Sequence, residues 1–326
     1  MNNKKILLVL GAINVNAEDR YLNISELKPV QIIKDTSLEE IPYFSNKNIY
    51  GISSAVMHEK ENLFFYSFGY SFGNEKGIDI VKINMNNYLI NRLSISNLRD
   101  VHELKIIDNI LWIANTGFDE AVGYDIYKNK VTKRIQLKEI PLIFSSEKKV
   151  ANQNDRFHLN QIFKGLDNDL YALVHHIDGK QEYHNNEKLK KQGNGGVINL
   201  SKNVPIQLNL KSPHSVRLIE NNYWVFDSAR LKINIYNKEW NFFTSIPTLG
   251  YGRGGIYDEQ NKIFYAGISK IRKRYLKVFS KQYPNMIQII NTKSRENIEN
   301  IYLDNIEQVN DLILLDTKQA EVLRQL

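Results

Sequence analysis

The chain has 326 residues, 42% of them apolar, a net charge of +7 and no cysteine. That apolar content supports a substantial core and excludes a disordered chain. The missing cysteine excludes disulfides, iron–sulfur clusters, thiolate zinc sites and a cysteine nucleophile. With 18 tyrosines, 14 phenylalanines and little alanine, the composition favours strands over helices.

At the N-terminus, Lys4-Lys5, the apolar run Ile6–Ile13 and Val15-Asn-Ala17 loosely imitate an export signal. The run is short, however, and reads as a buried strand over about 5–12. The strand reading places the protein in the cytoplasm, and the signal reading would export it. No apolar run approaches the length of a membrane span.

Six stretches then share one pattern: a polar or glycine lead, an apolar strand, an Asn/Asp/Glu/Lys turn and an aromatic-rich second strand. They begin near Gly51, His102, His158, His214, Arg253 and Ile306. A second strand pair follows most of them, as in Ala121–Ile126 with Val131–Leu137, and Lys232–Tyr236 with Trp240–Ile246. Four antiparallel strands every 40–55 residues or so are what a β-propeller blade requires. The pattern predicts an all-β chain forming a single β-propeller over 1–326, with six four-stranded blades. The chain stops soon after the sixth hairpin, so the N-terminal strand, and Val30–Lys34 with it, is expected to complete the last blade and close the ring. Polar inserts are expected at about 139–157 and 178–195, the second carrying a solvent-exposed His184. His58 falls in a turn and is expected at the surface.

His102, His158 and His214 lie 56 residues apart, each at the lead of a repeat. Leads and second-strand ends meet at one rim of a propeller channel, which would gather these histidines with Arg253, Asn115, Asp227 and one of His175 or His176. Three neutral imidazoles from three blades suit a divalent metal ion with an open position. Repeated structural hydrogen bonding between blades is the competing account of the same residues. Asn160, Asn115, Asp227 and Arg253 are the candidates for contacting substrate, Arg253 as a clamp for a carboxylate or phosphate. Trp112 and Trp224, each ten residues after a lead histidine, are expected to pack between blades. The densest basic run, Lys270–Lys281, reads as a solvated loop, and nucleic acid is not an expected partner. No Gly-x-Ser-x-Gly, His-Glu-x-x-His, phosphate-loop or dinucleotide motif is present.

Ser212-Pro-His-Ser-Val-Arg217, Tyr223-Trp-Val-Phe-Asp-Ser228 and Phe157-His-Leu-Asn-Gln-Ile162 resemble the bacterial DUF4915 family. That resemblance implies a propeller and brings no established activity. In architecture the chain is also similar to metal-centred propeller lyases and gluconolactonase-like hydrolases. The lyases hold zinc on three channel histidines, a role for which His102, His158 and His214 are the candidates here. The expectation is therefore a metal-dependent lyase, lactonase or hydrolase acting on a small, polar, anionic, sugar-like molecule. The alternative is a non-catalytic module that binds a glycan, peptide or protein.

Overall fold

The computed structural model describes residues 5–34, 37–45, 49–72, 75–140, 154–180, 193–273, 276 and 281–326. His184, most of both polar inserts and part of the Lys270–Lys281 run lie outside the described residues.

The chain opens with β1 (Ile6–Ala12), β2 (Val30–Lys34) and β3 (Ser37–Glu40). Five meanders follow, each pairing its strands in chain order. They are β4 (Ile49–His58), β5 (Leu63–Phe72), β6 (Glu75–Asn84) and β7 (Leu89–Arg92); then β8 (Val101–Ile107), β9 (Ile110–Asn115), β10 (Glu120–Asp125) and β11 (Lys130–Gln136). The third is β12 (Leu159–Lys164), β13 (Leu170–Val174), β14 (Gly195–Asn199) and β15 (Val204–Leu210). The fourth is β16 (Pro213–Ile219), β17 (Asn222–Asp227), β18 (Lys232–Tyr236) and β19 (Phe242–Pro247). The fifth is β20 (Tyr251–Asp258), β21 (Ile263–Ser269), β22 (Met286–Asn291) and β23 (Asn297–Tyr302), after which come β24 (Gln308–Leu315) and the helix α1 (Thr317–Arg324).

The last strand finds its neighbours at the start of the chain. β24 pairs with β1 from Ile6↔Leu315 to Ala12↔Gln308, and β1 pairs with β2 on its other edge. β24, β1, β2 and β3 thus form a further four-stranded group, in which the N-terminal strand pairs with the last one, and this group continues into β4–β7 as one eight-stranded sheet. One bridge, Ala12↔Gly51, joins it to β4. Glycine is needed there: Gly51 has φ +122°, and a Cβ would lie 2.4 Å from Ala12 Cα.

Contacts divide the chain into two compact units, Met1–Ser94 with Thr248–Leu326, and Ile95–Pro247. Each holds three four-stranded groups. Second strands such as β9 and β17 are apolar and almost wholly buried, while fourth strands such as β7 and β19 are largely exposed. Asparagine supplies the left-handed residue of many turns, including Asn62, Asn129 and Asn221 (φ 51°, 50° and 63°). Trp112 and Trp224 are buried, as expected of packing residues, and Tyr223 stacks on Trp240 with centroids 3.8 Å apart. His58 departs from expectation. It is buried, and its Nδ1 accepts from Glu61 N at 3.2 Å, so it braces the β4–β5 turn from inside. Among the described residues no helix is long and apolar enough to cross a membrane.

Candidate functional site

The repeat seen in sequence is, in structure, a repeated β-bulge. Near the start of each group's first strand, the pairing passes over or compresses an extra residue. In β4 it is Ser53, in β12 Asn160, in β16 Ser215 and in β24 Asn310. In β8 the pair His102-Glu103 stands against Ala114 alone, and in β20 Arg253-Gly254 stands against Gly267. A bulge bends the strand and re-aims its side chains, so polar residues at these positions turn away from the packed faces.

Within the unit 95–247 histidines come together beside these bulges. The His102 and His158 ring centroids are 4.8 Å apart, His158 and His175 4.6 Å, and His175 and His214 5.1 Å. His175 is the residue that sequence left undecided. It follows β13, and its N–H donates to His158 O at 3.2 Å. The same pairing position is taken by Asn115 opposite Val101 and by Asp227 opposite Pro213. His158 is thus in register with Val101 and Pro213, one place ahead of His102 and His214.

Each lead histidine is anchored through Nδ1. His102 Nδ1 donates to Asp100 O (3.2 Å), His158 Nδ1 to the Asp155 carboxylate (3.0 Å) and His214 Nδ1 to Ser212 O (2.9 Å), with Ser228 Oγ a further 3.0 Å neighbour. Donation from Nδ1 fixes the ring and leaves the Nε2 lone pair as the outward face of the neutral imidazole. His175 Nε2 is buried and has no hydrogen-bond partner.

The four rings are not electrostatically equivalent. Burial, and then the facing imidazoles of His158, His214, His176 and His102, hold His175 well below the usual imidazole pKa. Burial also opposes charge on His158, but the hydrogen bond and charge of Asp155, with Asp100 and Asp119 adding, outweigh it and raise its pKa. Two imidazoles in contact are therefore driven in opposite directions.

Asp119 sets the backbone of His158. It accepts from Arg156 N, from Phe157 N at 3.1 Å and from His158 N at 3.1 Å, and holds His158 at φ +53°. Beyond the histidines, Gln161 Nε2 donates to Glu103 Oε1 (2.9 Å) and Val216 O (3.3 Å), while Arg217 lies 3.4 Å from Glu103. These bonds stitch β8, β12 and β16 together.

The expected substrate contacts fare differently from the histidines. Asn115 is fully buried and clamps the preceding loop, accepting from Arg99 N (2.8 Å) and donating to Asn97 O (2.9 Å). Asp227, also fully buried, does the same for the loop before β16, accepting from Lys211 N (2.7 Å) and from Arg230 and Asn234. Arg253 belongs to the other unit, where its Nη1 donates to Gln308 Oε1 (2.8 Å) and Asn310 Oδ1 (2.9 Å), tying β20 to β24. Asn160 gives its Nδ2 to Pro213 O and keeps a buried, unbonded Oδ1. Among the described residues no group of three or more His, Asp or Glu side chains is arranged to hold a metal ion. The imidazole donor set has the right chemistry for one, but this packing of ring against ring does not present it.

Solved structures define the class. A chain of the nidogen/laminin complex superposes with a TM-score of 0.58 at 8% identity, covering 95% of this chain and 98% of its own. A candidate 6-phosphogluconolactonase from Bacteroides fragilis gives 0.56 at 9% identity, covering 97% and 99%. A protein of unknown function from Bacteroides caccae gives 0.56 at 11% identity, covering 95% and 98%. At such identities the likeness is one of fold: the protein is an all-β propeller. No curated protein matches it in sequence. The chain belongs to DUF4915, a domain family of unknown function whose sequence model matches residues 71–323.

Proposed function

We propose that the histidine cluster of the unit 95–247 is an acid–base active site for a small, polar, anionic, sugar-like substrate, with lyase, lactonase or hydrolase chemistry. The observation that carries this reading is the contact between His158, bonded to Asp155, and His175, whose Nε2 is buried without a partner. Groups whose environments push their pKa values apart are the natural acid and base of a site. His175, held neutral, takes a proton from the substrate or from an attacking water. His158, whose charged form Asp155 favours, donates one to the departing or developing oxyanion and, when protonated, attracts the substrate's negative charge. His102 and His214 flank this pair and line the site with further imidazole.

The test is turnover of a panel of lactones, sugar phosphates and hydroxy acids, followed by pH–rate profiles. The expected profile is a bell whose acid limb belongs to His175 and whose alkaline limb belongs to His158. Asp155→Asn removes the group that raises His158, so the alkaline limb should move to lower pH; His175→Ala should abolish turnover. Binding without turnover would assign the site to a non-catalytic module instead. A stoichiometric divalent ion in the purified protein, with activity lost on chelation, would replace the acid–base reading with a metal-centred one.

A further inference from the structure

We infer that Asn160 and Ser215 form a hydroxyl-recognising subsite beside the histidines, and that the ligand is a polyhydroxylated carboxylic acid of the aldonate class. The inference rests on the proposed acid–base site for the anionic end of that ligand.

Asn160 and Ser215 are the bulge residues of two neighbouring first strands, β12 and β16. Their segments lie side by side: Asn160 Nδ2 donates to Pro213 O, and Val216 N donates to the Gln161 side chain. Both residues are more than nine-tenths buried, at 4% and 7% exposure. Both carry a buried polar atom with no hydrogen bond, Asn160 Oδ1 and Ser215 Oγ. Among the described bulge residues of the six first strands, these two alone do so. Arg253, Asn310 and Glu103 occupy equivalent bulges and spend their polar atoms on neighbouring strands.

Ser215 is also held at φ +45°, in the left-handed region that a non-glycine residue rarely adopts. An unbonded buried hydroxyl on a strained backbone works against folding twice, and such outliers mark sites where a ligand supplies the missing partner. The residue beside it is His214, which meets His175, whose own Nε2 lacks a partner.

The chemistry of the missing partner can be read from the atoms. Donation of Nδ2 to Pro213 O fixes the Asn160 amide, so Oδ1 presents an acceptor and nothing else. Ser215 Oγ offers a donor and an acceptor. Ligand hydroxyls suit each: one donates to Asn160 Oδ1, and Ser215 Oγ can donate to or accept from one. A ligand lacking hydroxyls leaves both atoms desolvated and unbonded, which is the strongest basis a site has for rejecting a close analogue.

The experiment is calorimetric titration of the full chain with glycerate, threonate and gluconate, each against its hydroxyl-free counterpart propanoate, butanoate or hexanoate. Hydroxy acids should bind about tenfold or more tightly than their counterparts. Ser215→Ala should erase most of that margin and leave the binding of the simple acids unchanged. Its melting temperature should equal or exceed that of the wild type, because the deleted hydroxyl makes no bond. Asn160→Ala, which also loses the tie to Pro213, should narrow the margin likewise. His158→Ala, which removes the group that attracts the acid's negative charge, should weaken both classes of acid equally. If no hydroxy acid outbinds its counterpart, or if the margin survives in Ser215→Ala and Asn160→Ala, the subsite is overturned. Loss of all binding in His158→Ala with the margin intact in Ser215→Ala would leave the histidine reading standing alone. A margin erased by Ser215→Ala with no effect of His158→Ala would overturn the histidine reading and keep the subsite.

Discussion

Asp119 offers a sharp test, because two large effects oppose each other on one carboxylate. It is 4% exposed, and three backbone N–H groups, of Arg156, Phe157 and His158, point at it. Burial favours the neutral acid, while the N–H donors favour the carboxylate. Burial wins: the pKa is pushed up from 3.8 to about 6, with the backbone bonds pulling it down, Asp155 adding to the rise and His158 opposing it. The native state therefore holds this proton more tightly than the unfolded chain does. The favourable contribution is fully present below about pH 4 and disappears as pH rises through about 6. A displacement from 3.8 to about 6 corresponds to about 3 kcal/mol.

Asp119→Asn isolates that term. Asparagine does not titrate, and its single oxygen cannot serve all three donors, so it should carry a pH-independent penalty of about 1–3 kcal/mol. The measurement is urea unfolding of both proteins, followed by circular dichroism, in steps from pH 4 to 7.5. Asp155 and His158 are present in both chains, and because Asp119 adds to the raised pKa of His158, the difference between the two curves reports Asp119 together with its coupling to that imidazole. The wild-type advantage should shrink by about 2 kcal/mol between pH 4 and pH 7, because pH 4 already lies above the unfolded value of 3.8. A flat difference, or one that grows with pH, would show that the three N–H donors outweigh burial and would refute the reasoning.

Three further outcomes are expected. Arg253→Ala should cost about 1–2 kcal/mol by removing its bonds to Gln308 and Asn310, with ligand affinity at the histidines unchanged in calorimetry. Asp227→Ala should cost about 2–4 kcal/mol in denaturant melts, because the half-buried Lys211 N–H loses its acceptor and the buried Asn234 amide loses a partner. In nitrogen-detected NMR titrations, His175 should stay neutral well below pH 6.5 and His158 should remain charged above it. Asp155→Asn should bring the His158 transition down, and an unmoved His158 would exclude Asp155 as its stabilising partner.

The architecture was readable because strand pairing has a sequence signature. Apolar and aromatic runs broken by asparagine turns marked the meanders, and a surplus strand at one end matched a deficit at the other, as β1 and β24 now show. The site was readable only in part. Equal spacing of His102, His158 and His214 concealed a one-place offset, since pairing puts His158 level with Val101 and Pro213. Register depends on bulges, and a bulge leaves little trace in a single sequence. His175 was visible only as one of two adjacent histidines; which one met His158 depended on where β13 ended. The bonds that Arg253, Asn115 and Asp227 make run to backbone groups or to residues distant in sequence, such as Asn310, and nothing in a single sequence announces them.

The six bulges place polar groups in equivalent positions and then use them in two ways. In the unit formed by 1–94 and 248–326, Arg253 bonds Asn310 and Asn310 bonds Ile52 O, while next to these bulges Ser54 bonds Asp311. Each bond ties one first strand to the next, and the gain is rigidity. In the unit 95–247, Gln161, Glu103 and Arg217 perform the same tying, yet Asn160 Oδ1, Ser215 Oγ and His175 Nε2 remain buried and unbonded. Folding alone favours removing such groups, since each costs about 1–3 kcal/mol when left without a partner. Rigidity accounts for the first set and cannot account for the second. What the second set shares is position, on or beside the histidines, where the ligand proposed above would supply the partner those atoms lack.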